Sequence, residues 1–170
     1  TNDGDTGCAI GFCDSAFSTS DPLDSGTKNA KFYGHKSGKL YNNDTGTTAS
    51  STTFAADDIL QIALDLDNGK MWFGKNGTWY NNNNASTTLS TGNSDWTGIT
   101  IDSSGSGEYT PFGANYNDGT IFFNFGQDGT FAGNKTAQGN ADGNGYGNFY
   151  YAPPSSHLAL CTKNLPSPTV

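Results

Sequence analysis

The chain of 170 residues contains no arginine, a single glutamate (Glu108), one methionine and two histidines, His35 and His157. Each shortage excludes something. Its 8 cationic side chains are all lysines, scattered at positions such as Lys28, Lys70 and Lys163. A surface that tracks phosphates needs clustered positive charge, so nucleic acid is not an expected partner. The net charge of −8 and the sequence pI near 4.3 also disfavour an anionic membrane surface, and they favour solubility. No apolar run is long enough to cross a bilayer, so membrane insertion is not expected. The opening "TNDGDTG" does not read as a signal peptide, which leaves the compartment open. Cysteine is scarce too. Cys8, Cys13 and Cys161 make an odd count that argues against a disulfide framework. Cys8 and Cys13 fall five apart in an apparent strand and so face opposite sides, as small buried thiols would. The two histidines lie too far apart for ligand spacing, and neither a metal nor another cofactor is expected.

Aliphatic residues are also few. Leu, Ile, Val and Phe together fall below the roughly 20% that warns of disorder in a charged chain. Aromatic residues offset this: 11 Phe, 8 Tyr and 3 Trp make up 13% of the chain. Each buries about 150–250 Å², enough for a few to build a core. The composition therefore reads as one folded domain with an aromatic core and a surface of Asn, Thr, Ser and Gly.

No segment carries helical periodicity; short strands alternate with turn signals, which points to an all-β antiparallel sandwich. "CAIGFC" (8–13) is the first strand. A hairpin follows, Phe32–His35 with Lys39–Asn42. In "DDILQIALDLD", Leu60, Ile62, Leu64 and Leu66 share one face, and Ile59, Gln61, Ala63 and Asp65 the other. Asn68-Gly69 then predicts a type I′ turn before "KMWFGK", and Asn76-Gly77 a second turn before "TWY". "YTPFGANY" and "TIFFNFG" read as a further pair around Asn117-Asp118-Gly119, and "HLALCT" as a short final strand. The stretches 81–95 and 133–148 are Asn- and Gly-rich loops, longer than compact domains usually carry without a function.

A search for catalytic chemistry comes back empty. Counted from Asp65, a calcium loop would need Gly at its sixth position and Glu at its twelfth, where Lys70 and Asn76 stand. A glycosidase needs two facing carboxylates, but Glu108 has no acid at 106 or 110, and Asp65 and Asp67 flank a turn. "GNGYG" (143–147) lacks the strand before and helix after that a phosphate-cradling loop requires. Four N-x-Ser/Thr sequons, at Asn43, Asn76, Asn84 and Asn134, match the chance level of so Asn- and Thr-rich a chain.

Two stretches nevertheless carry a resemblance. "DDILQIALDLDNGKMWFGKNGTW" resembles the signature of SPRY domains, and "YTPFGANYNDGTIFFNFGQDGTF" resembles their later signature, in the same order. The likeness runs from about Cys8 onward. It implies a bent antiparallel β-sandwich of concanavalin-like topology with long loops, binding through loops at one end and without catalysis. It also implies fold-making roles for Asp65, Asn68, Gly69, Trp72, Phe73, Asn76, Gly77, Asn124, Phe125 and Gly126. Asp57 stands where the family often has glycine, and Asp tolerates left-handed geometry. The family's usual strands upstream of "AIGFC" are missing, so residues 1–165 are expected to form one SPRY-like sandwich short of one or more strands. Residues 166–170 would then begin a linker.

The tail, from Thr136 through Leu165-Pro166, resembles a segment of SPRY-containing fibre and tail-associated proteins of marine bacteriophages. That likeness implies a virion structural protein on an exposed fibre, tail or capsid surface, extracellular once assembled. Its partners would be other virion proteins and a host-surface glycan or protein, and it would be a homo-oligomer within the fibre. Trp79, Tyr80, Asn82, Asn83 and Trp96, framing the Asn-rich loop, and Tyr116 and Asn117 at another turn, are the candidate ligand-binding residues. Aromatic faces beside amides suit stacking on sugars and hydrogen bonding to them; the alternative for Trp79 and Trp96 is a place in the core. Two rival functions remain: a protein-interaction adaptor gripping a short peptide, and a glycan-processing enzyme on a similar sandwich.

Overall fold

A computed structural model describes residues 8–14, 30–34, 40–42, 45–47, 53–80, 96–97, 109–115 and 120–167. Two compact units divide the chain, Thr1–Thr120 and Ile121–Val170. Among the described residues the first holds every strand. One sheet is built from β1 (Cys8–Asp14), β2 (Ala30–Gly34), β3 (Leu40–Asn42), β4 (Thr45–Thr47) and β9 (Tyr109–Asn115), in the order β4-β3-β2-β1-β9. The other holds β5 (Leu60–Asp65), β6 (Lys70–Lys75), β7 (Thr78–Tyr80) and β8 (Trp96–Thr97). Every pairing is antiparallel. β9 ends its sheet's order and carries Pro111, which cannot donate to a ladder and is tolerated at such an edge.

The core explains the alternation. Phe54, Met71 and Phe73 are buried together, and Leu60, Ile62 and Leu64 of β5 pack on them with Cys8 and Phe12 of β1 and Tyr109 of β9. Residues of both sheets therefore meet in one cluster, as in the all-β antiparallel sandwich the alternation predicts. Burying Phe73 and Trp72, 1% and 2% exposed, contributes about 2–3 kcal/mol each. The opposite face of β1 places Ala9 and Cys13 with Ala30, Phe112 and Ala114. Cys8 and Cys13 thus lie on opposite faces, and none of the three cysteines, all of them described, is in a disulfide.

Both Asn-Gly turns form, in different ways. Lys75 pairs with Thr78 across a two-residue loop, and Asn76 and Gly77 both take positive φ, 50° and 83°, as a type I′ turn requires. The first turn departs from the type I′ expectation. Asp65 pairs with Lys70 across four residues, and only Gly69 has positive φ, 63°. The Asp65 carboxylate accepts the Asn68 N–H at 3.0 Å and its side-chain amide at 2.8 Å, holding Asn68 on the right-handed side. Leu66 consequently lies in the turn, 39% exposed, rather than on the core face of β5. Asp57 is left-handed, φ 71°, as its place in the sequence suggests.

The second unit overturns two strand expectations. Neither "TIFFNFG" nor "HLALCT" is a strand, and β9 pairs with β1 instead. Side chains capture the backbone groups a ladder would use. Asn124 Oδ1 accepts the N–H groups of Gly126 (2.8 Å) and Asp128 (3.2 Å). Gln127 accepts the Phe125 N–H at 2.6 Å and donates to the Phe123 carbonyl at 2.7 Å. Further on, the Asp142 carboxylate takes the Ala159 N–H, and the chain closes in a 3-10 turn, Thr162–Asn164.

Candidate functional site

The Asn-rich stretch 81–95 singled out by composition lies outside the described residues; β7 ends before it at Tyr80 and β8 begins after it at Trp96. Both strands pair with β6: Tyr80 sits opposite Phe73, and Trp96 opposite Met71. Tyr80 and Trp96, the residues flanking the Asn-rich stretch, thus pair with one strand, two residues apart in register. β6 makes this possible because Met71, Trp72, Phe73 and Gly74 are all buried, which fixes the strand from both faces. Trp79 sits opposite Gly74, and a side chain on Gly74 would meet Trp79 Cε3 at 3.0 Å and the Thr78 carbonyl at 2.8 Å. Glycine at 74 therefore lets the half-buried indole lie against the neighbouring strand. Tyr80 is half-buried as well. Asn82, Asn83, Tyr116 and Asn117 lie outside the described residues, as do Glu108 and His35; of Trp96 only the strand position is described.

A polar clamp holds this hairpin from the β5 side. Asn76 Oδ1 accepts the Ile59 N–H at 2.8 Å, its Nδ2 donates to Asp58 Oδ1 at 2.6 Å, and its own N–H reaches the Ile59 carbonyl at 2.8 Å. Gly77 N–H donates to Gln61 Oε1 at 2.6 Å. Lys75 Nζ donates to the Thr53 carbonyl at 2.9 Å and lies 3.7 Å from Asp58 Oδ2, which also accepts the Ala55 N–H at 2.8 Å. Burial pushes the Asp58 carboxyl up, but the Ala55 N–H, the Asn76 amide and the Lys75 ammonium outweigh it and hold the carboxyl below its usual range.

In the second unit Asp142, 7% exposed, is a hub. Oδ1 accepts the N–H groups of Asn144 (2.9 Å) and Tyr146 (2.8 Å), while Oδ2 accepts Ala159 N–H (2.8 Å) and Asn164 Nδ2 (2.7 Å). Burial raises its pKa; the Ala159 and Tyr146 N–H groups, the Asn164 amide and the Asn144 N–H more than reverse this and bring it to about 2. Asp128 does similar work: its bonds from the Thr130 hydroxyl and the Ala132 and Thr130 N–H groups lower its pKa and cap the left-handed pair Phe131 and Ala132. Lys163 Nζ stands 5.2 Å from the centre of the Tyr146 ring.

These carboxylates are structural in what they touch. A general acid needs a raised pKa, and the carboxyls of Asp58, Asp128 and Asp142 are all shifted the other way. Among the described residues no three His, Cys, Asp or Glu side chains gather as metal ligands would. Of the signature residues, Asp65 and Asn68 brace one turn, Asn76 and Gly77 make the other, and Trp72 and Phe73 are buried. Asn124 binds the Asn148 carbonyl at 2.9 Å, the Phe125 ring stacks on Phe123 at 5.9 Å, and Gly126 takes φ 107°. Sequence reasoning passed over Asp128, Asp142 and the Asp58 clamp. The available signal at Asp128 and Asp142 was an Asp followed two residues later by Thr or Asn, the pattern of side chains that bond their own backbone; Asp58, followed by Ile-Leu-Gln-Ile, carries no such signal.

Comparison with known proteins gives one positive result. The family model of the SPRY domain matches residues 1–91, which takes in the first signature and ends before the second. No curated protein and no solved structure matches the chain.

Proposed function

The chain belongs to the SPRY domain family, and from that premise we propose that it is a non-enzymatic binding module of a phage fibre or tail-associated protein, engaging a host-surface glycan or protein through the loop between Tyr80 and Trp96. The family supplies the coarser part, a protein-interaction module. The observation that carries the finer part is the pinning of both loop ends to β6, opposite Phe73 and Met71. A long polar segment anchored on a rigid buried strand is a form in which binding residues are commonly displayed. Tyr80 stands at that anchor with Asn82 and Asn83 just beyond it, an aromatic ring followed by amides, which suits a sugar. The fibre setting rests on the likeness of the tail from Thr136 through Pro166 to phage fibre proteins. It carries with it the virion location, the virion partners and a homo-oligomeric state.

The test has two arms. An antibody raised against the chain is applied to phage particles under the electron microscope, and the labelled protein is applied to a glycan array and a peptide library. The reading predicts labelled fibres or tails, and glycan binding that an Asn82→Ala/Asn83→Ala variant loses without a change in melting temperature. Unlabelled particles overturn the fibre setting. Peptide binding in place of glycan binding overturns the sugar and favours the adaptor that other SPRY domains exemplify.

A further inference from the structure

Asn-Gly pairs are the sites at which a protein chain most readily modifies itself, because glycine leaves its nitrogen unhindered. The chain has three, at Asn68, Asn76 and Asn144, and all three are described. The reaction balances with water alone. The glycine nitrogen gives its proton to hydroxide and attacks the asparagine Cγ. A C–N bond closes a five-membered imide, and the bond to Nδ2 breaks as ammonia leaves with a proton from water. A second water then opens the imide to aspartate or isoaspartate. Each step needs a free glycine N–H and a side-chain amide able to swing onto it.

The three pairs differ in those two requirements. At Asn76 everything is held: Gly77 N–H by Gln61 Oε1 at 2.6 Å, Oδ1 by the Ile59 N–H at 2.8 Å, and Nδ2 by Asp58 Oδ1 at 2.6 Å. At Asn144 the Gly145 N–H donates to the Asp142 carbonyl at 3.0 Å, and the Asn144 amide donates to Asn164 Oδ1 at 2.9 Å. Its own N–H is fixed by the Asp142 carboxylate at 2.9 Å. Asn68 is looser. Gly69 N–H has the longest of the three glycine bonds, 3.3 Å to the Leu66 carbonyl, and Oδ1 has no partner among the described residues. Asp65 holds the amide nitrogen at 2.8 Å and the Asn68 N–H at 3.0 Å; since Asn68, Asn76 and Asn144 are all exposed, the difference lies in the glycine N–H and in Oδ1.

We propose that Asn68 is a self-modification site of the folded chain, converting to aspartate and isoaspartate, while the same dipeptide at Asn76 is locked by its hydrogen bonds and Asn144 stands between the two. The product is not neutral for the fold. A carboxylate at position 68 faces Asp65 Oδ2 and neighbours Asp67, so the bond that braces the turn between β5 and β6 becomes a repulsion. Isoaspartate also lengthens the backbone within a four-residue loop. The hairpin that carries the signature would thus record the age of the molecule.

The experiment incubates the folded protein, and a parallel sample in urea, at mildly alkaline pH. Digestion and electron-transfer mass spectrometry then read aspartate and isoaspartate at each position over time. In the folded chain Asn68 is expected to convert on the order of tenfold faster than Asn76, the factor that one to two neutral hydrogen bonds of about 1 kcal/mol supply, with Asn144 between them. In urea the three rates should converge. A Gln61→Ala variant, checked as folded by tryptophan fluorescence, should speed conversion at Asn76. Equal rates in the folded chain, an inert Asn68, or an Asn76 that ignores the loss of Gln61 would each overturn the proposal.

Discussion

Replacing Asn76 separates two effects that act at one residue. Its side chain makes two hydrogen bonds, from the Ile59 N–H and to the Asp58 carboxylate, and its backbone sits at φ 50°. Asn76→Gly keeps the backbone conformation and removes both bonds. A neutral bond contributes about 1 kcal/mol, and the bond to Asp58 about the same once its partial exposure (20% of the side chain) is allowed for. The expected loss is about 2 kcal/mol. Asn76→Ala removes the same bonds and adds the left-handed penalty of a β-carbon, about 1 kcal/mol more. All three tryptophans, Trp72, Trp79 and Trp96, lie in the first unit, so thermal unfolding followed by tryptophan fluorescence reports on this unit alone. Glycine should lower the transition by about 4–8 °C and alanine by a few degrees more. If glycine costs as much as alanine, the backbone does not limit the turn. If neither moves the transition, the clamp contributes nothing and the hairpin stands on its core alone.

Two predictions concern the second unit. Gly147→Ala places a β-carbon 2.5 Å from Phe149 Cε2 at φ 95°, whereas Gly145→Ala, at φ 79°, meets nothing within 4 Å. The first should cost about 2–4 kcal/mol and the second about 1, read by tyrosine near-ultraviolet circular dichroism; equal costs would show that the Phe149 ring yields freely. Asp142 makes the unit acid-sensitive. Its pKa is about 2 in the folded chain against an ordinary 3.8, so the unfolded chain binds the proton first. The stability it contributes is complete above about pH 4 and is lost as pH falls toward 2. The Ala159 and Tyr146 amide resonances should shift across that window, and Asp142→Asn, which sets an NH2 group against donors, should remove the transition; amides indifferent to pH would refute the hub.

The sandwich was legible where its signals are local. The shared core face of Leu60, Ile62 and Leu64, the burial of Trp72 and Phe73 and the Asn76-Gly77 turn all follow from residues close in sequence. What escaped was decided by side chains reaching for backbone groups. Asp65 turned an expected type I′ loop into a four-residue one. Asn124 and Gln127 dissolved an expected strand at 120–126, and Asp142 another at 157–162. Of the candidate site, composition singled out the stretch 81–95, but not that β7 and β8 on either side of it share one partner strand, because pairing between Met71 and Trp96 leaves no periodic trace.

The second unit turns the reading of composition around. The composition reads as an aromatic core under a surface of Asn, Thr, Ser and Gly, yet among the described residues of Ile121–Val170 the one buried apolar side chain is Ala159, and the buried polar one is Asp142. Phe122, Phe123, Leu158, Leu160 and Leu165 are exposed. A unit this small with so thin an interior ordinarily needs a disulfide or a metal. Its only cysteine, Cys161, is free. Carboxylates and amides take that place: Asp128, Asp142 and Asn164 tie segments up to 22 residues apart. Such ties are directional, so this unit should depend on single polar residues more sharply than the sandwich does. There Leu60, Ile62 and Leu64 share one apolar contact and can substitute for one another in part.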